Sequence, residues 1–165
     1  MSTTAELRPA TVDDQEAIAT LWERGWREAH LQHVPPSLVA HRRLVDFRER
    51  VPERIPTTTV AMMSSRVVGF VTVHGDEIEQ LYVDASARGS GAAAALLTHG
   101  ERLIAARFAV AWLGVMPANA RARRFYEREG WHDAGAFNYD AQVTGGTIPV
   151  ACRRYEKQVR NAQTR

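Results

Sequence analysis

The chain has one cysteine, Cys152, and one lysine, Lys157, among its 165 residues. A lone cysteine excludes an internal disulfide framework and a cysteine metal cluster. Beside Val150 and Ala151, in an apolar strand-like run, Cys152 reads as a buried structural thiol rather than a nucleophile. No apolar run approaches the roughly 20 residues that a membrane-spanning helix needs. The opening MSTTAELRPATVDD lacks a basic-then-apolar signal pattern, so a soluble cytoplasmic protein is expected, with neither membrane nor metal as a partner. An excess of one charge is also missing. Twenty-one Lys and Arg oppose 19 Asp and Glu, and a net charge of +2 is no footprint of a nucleic-acid protein, although it weakly favours an anionic small ligand. Repeats, low-complexity tracts and linkers are absent, so a single domain over 1–165 is expected, with an ordered core over about 5–157.

What is present is organised around Glu77 to Leu97, EIEQLYVDASARGSGAAAALL. Ile78, Leu81, Tyr82 and Val83 form a β-rich set, two glycines follow at Gly89 and Gly91, and Ala92 to Leu97 opens a run of high helix propensity. A glycine turn feeding a helix leaves backbone N–H groups unpaired at the positive end of the helix dipole, an arrangement suited to phosphate. Gly89-Ser90-Gly91-Ala92-Ala93-Ala94 also fits the dinucleotide fingerprint G-x-G-x-x-A. That fingerprint wants an acidic residue about 20 positions on, at the end of the next strand. The next strand, Val110 to Val115, has none, and too little chain remains for a doubly wound domain.

Around this stretch the pattern predicts a first strand at Leu7–Thr11, then a helix capped by Thr11 or Asp13. Its stripe runs through Ala17, Ile18, Leu21, Trp22, Gly25 and Trp26. His30 to Pro36 breaks it, and a second helix is expected over Ser37–Arg50, anchored by Leu38, Leu44, Val45 and Phe47. Thr57–Met63 and Val67–Val73 read as an antiparallel pair, with Gly69 marking a bulge or close approach. The helix after the glycine turn presents Ala93, Leu96, Leu97, Gly100, Leu103 and Ile104 to the core, and Gly100 is expected to permit close packing. Val110–Val115 is a buried strand, Ala118–Glu129 a helix ended by Gly130, and Trp131–Phe137 pairs with Ile148–Tyr155 across a loop of 138–147. Period-two alternation puts Glu77 and Glu79 on the face of Leu81 and Val83.

Two motifs narrow the reading. Arg88-Gly89-Ser90-Gly91-Ala92-Ala93 fits R-x-x-G-x-A, and Asn119 to Trp131 is similar to N-x-x-A…F-Y-x-x-x-G-[FW]. Their letters and order resemble the acetyl-coenzyme A signature and the later motif of the GCN5-related N-acetyltransferase (GNAT) family, over roughly Val60 to Val150. Ala85 departs from a frequent proline, and Ala93 from a frequent glycine.

The resemblance implies a single α/β domain (α+β type) with a central, mixed, mostly antiparallel sheet of six to seven strands and about four helices. It implies direct transfer of acetyl from acetyl-CoA to a primary amine of a small molecule or peptide, with no metal, and a homodimer by analogy. Main-chain amides of Arg88, Gly89, Ser90, Gly91, Ala92, Ala93 and Ala94 would bind the pyrophosphate, and Leu81, Tyr82 and Val83 the pantetheine. Asn119 and Phe125 complete the cofactor set, with Arg123 or Arg124 near the nucleotide phosphates. Tyr126, two helical turns from Asn119, would be the general acid, the alternative being an aromatic packing residue. Glu77 or Glu79 would be the base, often through water; spacing leaves both open, with Glu79 preferred on a bulged strand. Trp26, His30 and His33 would face the acceptor, whose identity no signature discloses. The rival expectation is a non-catalytic acyl-CoA-binding regulatory module on the same fold.

Overall fold

A computed structural model describes residues 4–160. The elements run β1 (Glu6–Pro9), α1 (Gln15–His30), α2 (Pro36–Val39), α3 (Leu44–Arg54), β2 (Thr58–Met63), β3 (Arg66–His74), β4 (Glu77–Val83), α4 (Ala92–Ala105), β5 (Val110–Val115), α5 (Ala120–Arg128), β6 (His132–Val143) and β7 (Gly146–Gln158). The seven strands form one sheet in the order β1-β2-β3-β4-β5-β7-β6. All neighbours are antiparallel except β4 and β5. The parallel step follows from connectivity, since α4 is the crossover that returns the chain to the same end of the sheet. This is the mixed, mostly antiparallel α/β sheet that the motifs implied.

Each sheet face buries its own core. On one side Ile18, Leu21, Trp22 and Trp26 of α1 pack with Phe47 and Val51 of α3 over Val60 and Phe70. On the other, Leu96, Leu97 and Ile104 of α4 cover Val68, Val71, Ile78, Leu113 and Tyr155. Trp22, Phe47 and Phe70 are almost wholly out of water, each burial worth roughly 2–3 kcal/mol. The close approach expected at Gly100 is present: a Cβ there would lie 2.7 Å from Ile78 Cδ1. Gly69 serves both roles foreseen for it. Ladder pairing slips between Ala61 and Met62 beside it, and a Cβ would meet the Tyr82 carbonyl oxygen at 2.9 Å.

Four expectations are corrected. The second helix is not continuous over Ser37–Arg50; it breaks after α2 and restarts at Leu44, where Asp46 Oδ2 accepts the Arg43 N–H at 2.8 Å. A local cap at this point wins over continuation. Val45 falls on the outer face of the new helix, 42% exposed, instead of anchoring it. The buried stripe of α4 is rotated toward Glu101, whose carboxylate pairs with Lys157, so Leu103 lies at its margin, 46% exposed. Finally, 138–147 is no loop. β6 and β7 pair from His132↔Glu156 to Val143↔Gly146 around a two-residue turn at Thr144 and Gly145, Gly145 having φ 86°.

Candidate active site

The sheet opens at its centre. β4 and β5 pair only at Glu77↔Trp112, with Trp112 N–H donating to the Asp76 carbonyl at 3.0 Å. Beyond that point the strands diverge, so the cavity reaches through the sheet. A space of about 680 Å³ is lined by Trp22, Trp26 and Tyr82 of one core and by Ala122 and Tyr126 of the other, together with His30 and Asn119.

A bulge on β4 sets which groups face it. Thr72 pairs with Gln80 but Val73 with Ile78, leaving Glu79 as the extra residue. The strand therefore changes parity. Ile78, Leu81 and Val83 pack in the α4 layer and Tyr82 in the α1 layer. Glu77 and Glu79 thus do not share a face with Leu81 and Val83, as uninterrupted alternation would require.

The two carboxylates have different surroundings. Glu77 is 7% exposed and accepts a hydrogen bond from the Tyr139 hydroxyl at 2.5 Å. Burial pushes its pKa up from 4.5 to about 7, against the downward pull of the Tyr139 hydrogen bond. Glu79 receives the Arg54 Nε–H at 2.5 Å, an ion pair supplied by the last turn of α3.

At the other end, the chain between β4 and α4 forms the expected glycine turn into a helix. Gly89 and Gly91 sit at φ 78° and 86°, in the left-handed region, and a Cβ at either would meet nothing within 4 Å. Ser90 Oγ donates to Ala87 O at 2.5 Å and accepts Ala92 N–H at 3.2 Å, tying the turn to itself. The amides of Gly89, Gly91, Ala93 and Ala94 have no acceptor among the described residues. Arg88 is held by Glu28 of α1 at 2.6 Å, and Glu28 also stands 3.7 Å from Arg121. Free amides at the start of a helix suit an anionic group.

Asn119 caps α5, its Oδ1 accepting Ala122 N–H at 3.2 Å, and lines the cavity. Tyr126 lines it too, its ring 5.3 Å from that of Phe125 and 6.2 Å from that of Trp131. Burial raises the Tyr126 phenol pKa, so it remains protonated. The Tyr82 phenol is raised by burial and then by the charge of Tyr126.

Trp26 and His30 line the cavity with rings stacked at 5.2 Å, whereas His33 is exposed and outside it. His30 Nδ1–H donates to the Trp26 carbonyl at 3.1 Å, and burial lowers the imidazole pKa to about 4. Arg123 is drawn elsewhere. Its guanidinium donates to the Tyr155 hydroxyl, Pro117 O and Asp133, and it does not line the cavity, nor do Phe125 and Arg124. Among the described residues no cluster of three His, Cys, Asp or Glu side chains is placed to hold a metal, and no helix is long and apolar enough to cross a membrane.

The sequence reading missed Arg42, Arg50 and Arg54 on the α2–α3 side and Trp112 and Tyr139 on the sheet, all of which line the cavity. A signal for Tyr139 was available. Phe137, Tyr139, Ala141 and Val143 alternate up to a Thr-Gly-Gly turn, the pattern of a hairpin strand. The arginines carry no comparable signal, because surface helices are commonly rich in them.

Residues 16–131 match the model of the acetyltransferase (GNAT) family. An uncharacterised N-acetyltransferase of Mycobacterium tuberculosis is 32% identical over 107 residues, spanning 61% of this chain and 68% of the relative. Among solved structures, a GCN5-related N-acetyltransferase from Rhodopseudomonas palustris superposes with TM-score 0.73 at 19% identity, over 96% of this chain and 98% of that one. A putative acetyltransferase from Salmonella typhimurium, solved with acetyl-CoA, gives 0.72 at 17% identity over 99% and 98%. At such identities these two structures speak to the fold alone.

Proposed function

Because the chain belongs to the acetyltransferase (GNAT) family, we propose that it moves acetyl from acetyl-CoA directly to a primary amine, with Glu77 as general base and Tyr126 as general acid. The observation that carries this reading is the buried Glu77, with a pKa of about 7, at the vertex where β4 and β5 part. A base works best when its pKa lies near the operating pH. An alkylammonium with pKa about 10.4 must lose a proton before it can attack.

The residues divide the work as follows. The free amides of Gly89, Gly91, Ala93 and Ala94 hold the diphosphate, and the edges of β4 facing the opening offer main-chain partners to the pantetheine amides. The bound thioester supplies an electrophilic carbonyl carbon and a thiolate leaving group. The bound ammonium loses one proton to solvent before attack, and as the C–N bond forms a second nitrogen proton passes to Glu77, directly or through one water, and from there to solvent. The Tyr126 O–H supplies a proton to sulfur as the C–S bond breaks, and solvent restores it. Glu79 is engaged by the Arg54 guanidinium, and we assign the base role to Glu77 instead. Arg123 braces β7 and β6 to α5, and we assign it no part in holding the cofactor.

A thiol-release assay over a panel of amines tests this. Glu77→Gln should lower kcat/KM by about 10²–10⁴, with Tyr126→Phe lowering it less and Glu79→Gln least. Coenzyme A binding without thiol release from any amine would favour the non-catalytic acyl-CoA module. An undiminished rate in Glu77→Gln would remove the base assignment.

A further inference from the structure

The wall of the cavity opposite β4 is cationic. Arg50 and Arg54 stand one turn apart on α3, and Arg42 lies in the segment between α2 and α3. Arg54 is matched by Glu79. The other two are not matched. Arg42 is 4% exposed; its side chain donates to the carbonyls of His41 and Gln142, and its Nε has no partner among the described residues. Arg50 lies 4.4 Å over the Trp22 ring and has no carboxylate or carbonyl acceptor among the described residues. Burial, then the charges of Arg42 and Arg54, lower the Arg50 pKa to about 9, against the upward pull of Glu79, which is itself paired with Arg54. A guanidinium held out of water without an anion is costly, and the cost is offset when a carboxylate arrives.

Glu77 and Glu79 make the β4 side of the cavity acidic, and Trp22 and Trp26 add apolar lining. Resting on the acetyltransferase reading above, we propose that the acceptor is a primary amine that also bears a carboxylate, an amino-acid-type zwitterion. Its amine faces Glu77 and its carboxylate is clamped by Arg50 and Arg42. The fork of a guanidinium matches a carboxylate in two parallel hydrogen bonds, which a neutral carboxamide cannot reproduce.

Matched pairs decide it: α-, β- and γ-amino acids, each beside its primary amide, in the thiol-release assay with the wild type, Arg50→Gln and Arg50→Lys. The wild type should favour at least one acid over its amide by about 10- to 100-fold in kcat/KM. That ratio should collapse in Arg50→Gln and be retained in part in Arg50→Lys, with coenzyme A affinity reporting that both variants are folded. Amides used as well as or better than every acid by the wild type would overturn the clamp. So would an Arg50→Gln variant that loses acids and amides equally. Should no amine release thiol, the transferase reading fails and the clamp is judged separately, by calorimetry with N-acetyl amino acids and their amides. Selective binding of the acids that is lost in Arg50→Gln upholds it; equal binding of both overturns it.

Discussion

Replacing Glu77 by glutamine should raise stability and abolish most activity in the same protein, and the gain should depend on pH in one direction only. Folding raises the Glu77 pKa from 4.5 to about 7. The folded state therefore holds this proton more tightly than the unfolded chain, so stability falls as pH rises through that interval. The interval corresponds to about 3 kcal/mol, all of it felt above pH 7 and none below the ordinary glutamate value. Glutamine keeps an oxygen for the Tyr139 hydroxyl and never ionises. Relative to the wild type, Glu77→Gln should gain about 3 kcal/mol between pH 4 and pH 8.5, or roughly 6–12 °C in Tm for a domain of this size. Thermal and urea unfolding at several pH values provide the measurement, and kcat/KM on the same samples provides the functional half. In the wild type, kcat/KM should rise with pH through about 7 as the base deprotonates. A stability difference that stays constant from pH 4 to 8.5 would refute the raised pKa and, with it, the selection of Glu77 over Glu79.

Other substitutions probe the same geometry. Tyr139→Phe removes the hydrogen bond that favours ionised Glu77, so the alkaline rise of kcat/KM should move up by about one to two pH units; an unmoved profile would count against the pairing. Gly25→Ala would place a Cβ 2.3 Å from Tyr82 Cδ1. Overpacking of about 1–3 kcal/mol should outweigh the helix-propensity gain of about 1 kcal/mol, lowering Tm, and Tyr82→Leu should relieve the loss in the double variant. Ser64 and Ser65 turn the β2–β3 hairpin at φ 51° and 61°. Asn-Gly suits that turn, so Ser64→Asn with Ser65→Gly should add about 1 kcal/mol in urea unfolding without changing the m-value.

The glycine turn between β4 and α4 was readable residue by residue. Gly89 and Gly91 occupy the left-handed region, and the alanine-rich run after them is a helix whose Ala93 and Ala94 amides are free, because both effects act within a few residues of chain. The core stripe of α1 followed the same local logic. The departures arose where distant segments compete. Alternation alone would align Glu77 and Glu79 with Leu81, but pairing to β3 inserts Glu79 as an extra residue and turns Leu81 away. Ser37–Arg50 has no proline between Leu38 and Arg50, yet the helix yields to the Asp46 cap and to seating Phe47 and Val51 against α1.

By itself, then, the sequence determined the strand–turn–helix that offers amides to an anion, the amphipathic faces of the helices and the candidates Glu77, Glu79 and Tyr126. Only the tertiary structure decided which carboxylate is buried beside a phenol and which is neutralised, and that Arg42 and Arg50 stand unmatched across the cavity from them. The reason is physical: propensity and capping are set by near neighbours, whereas burial and charge pairing depend on residues such as Tyr139, 62 positions from Glu77, that the folded sheet alone brings together.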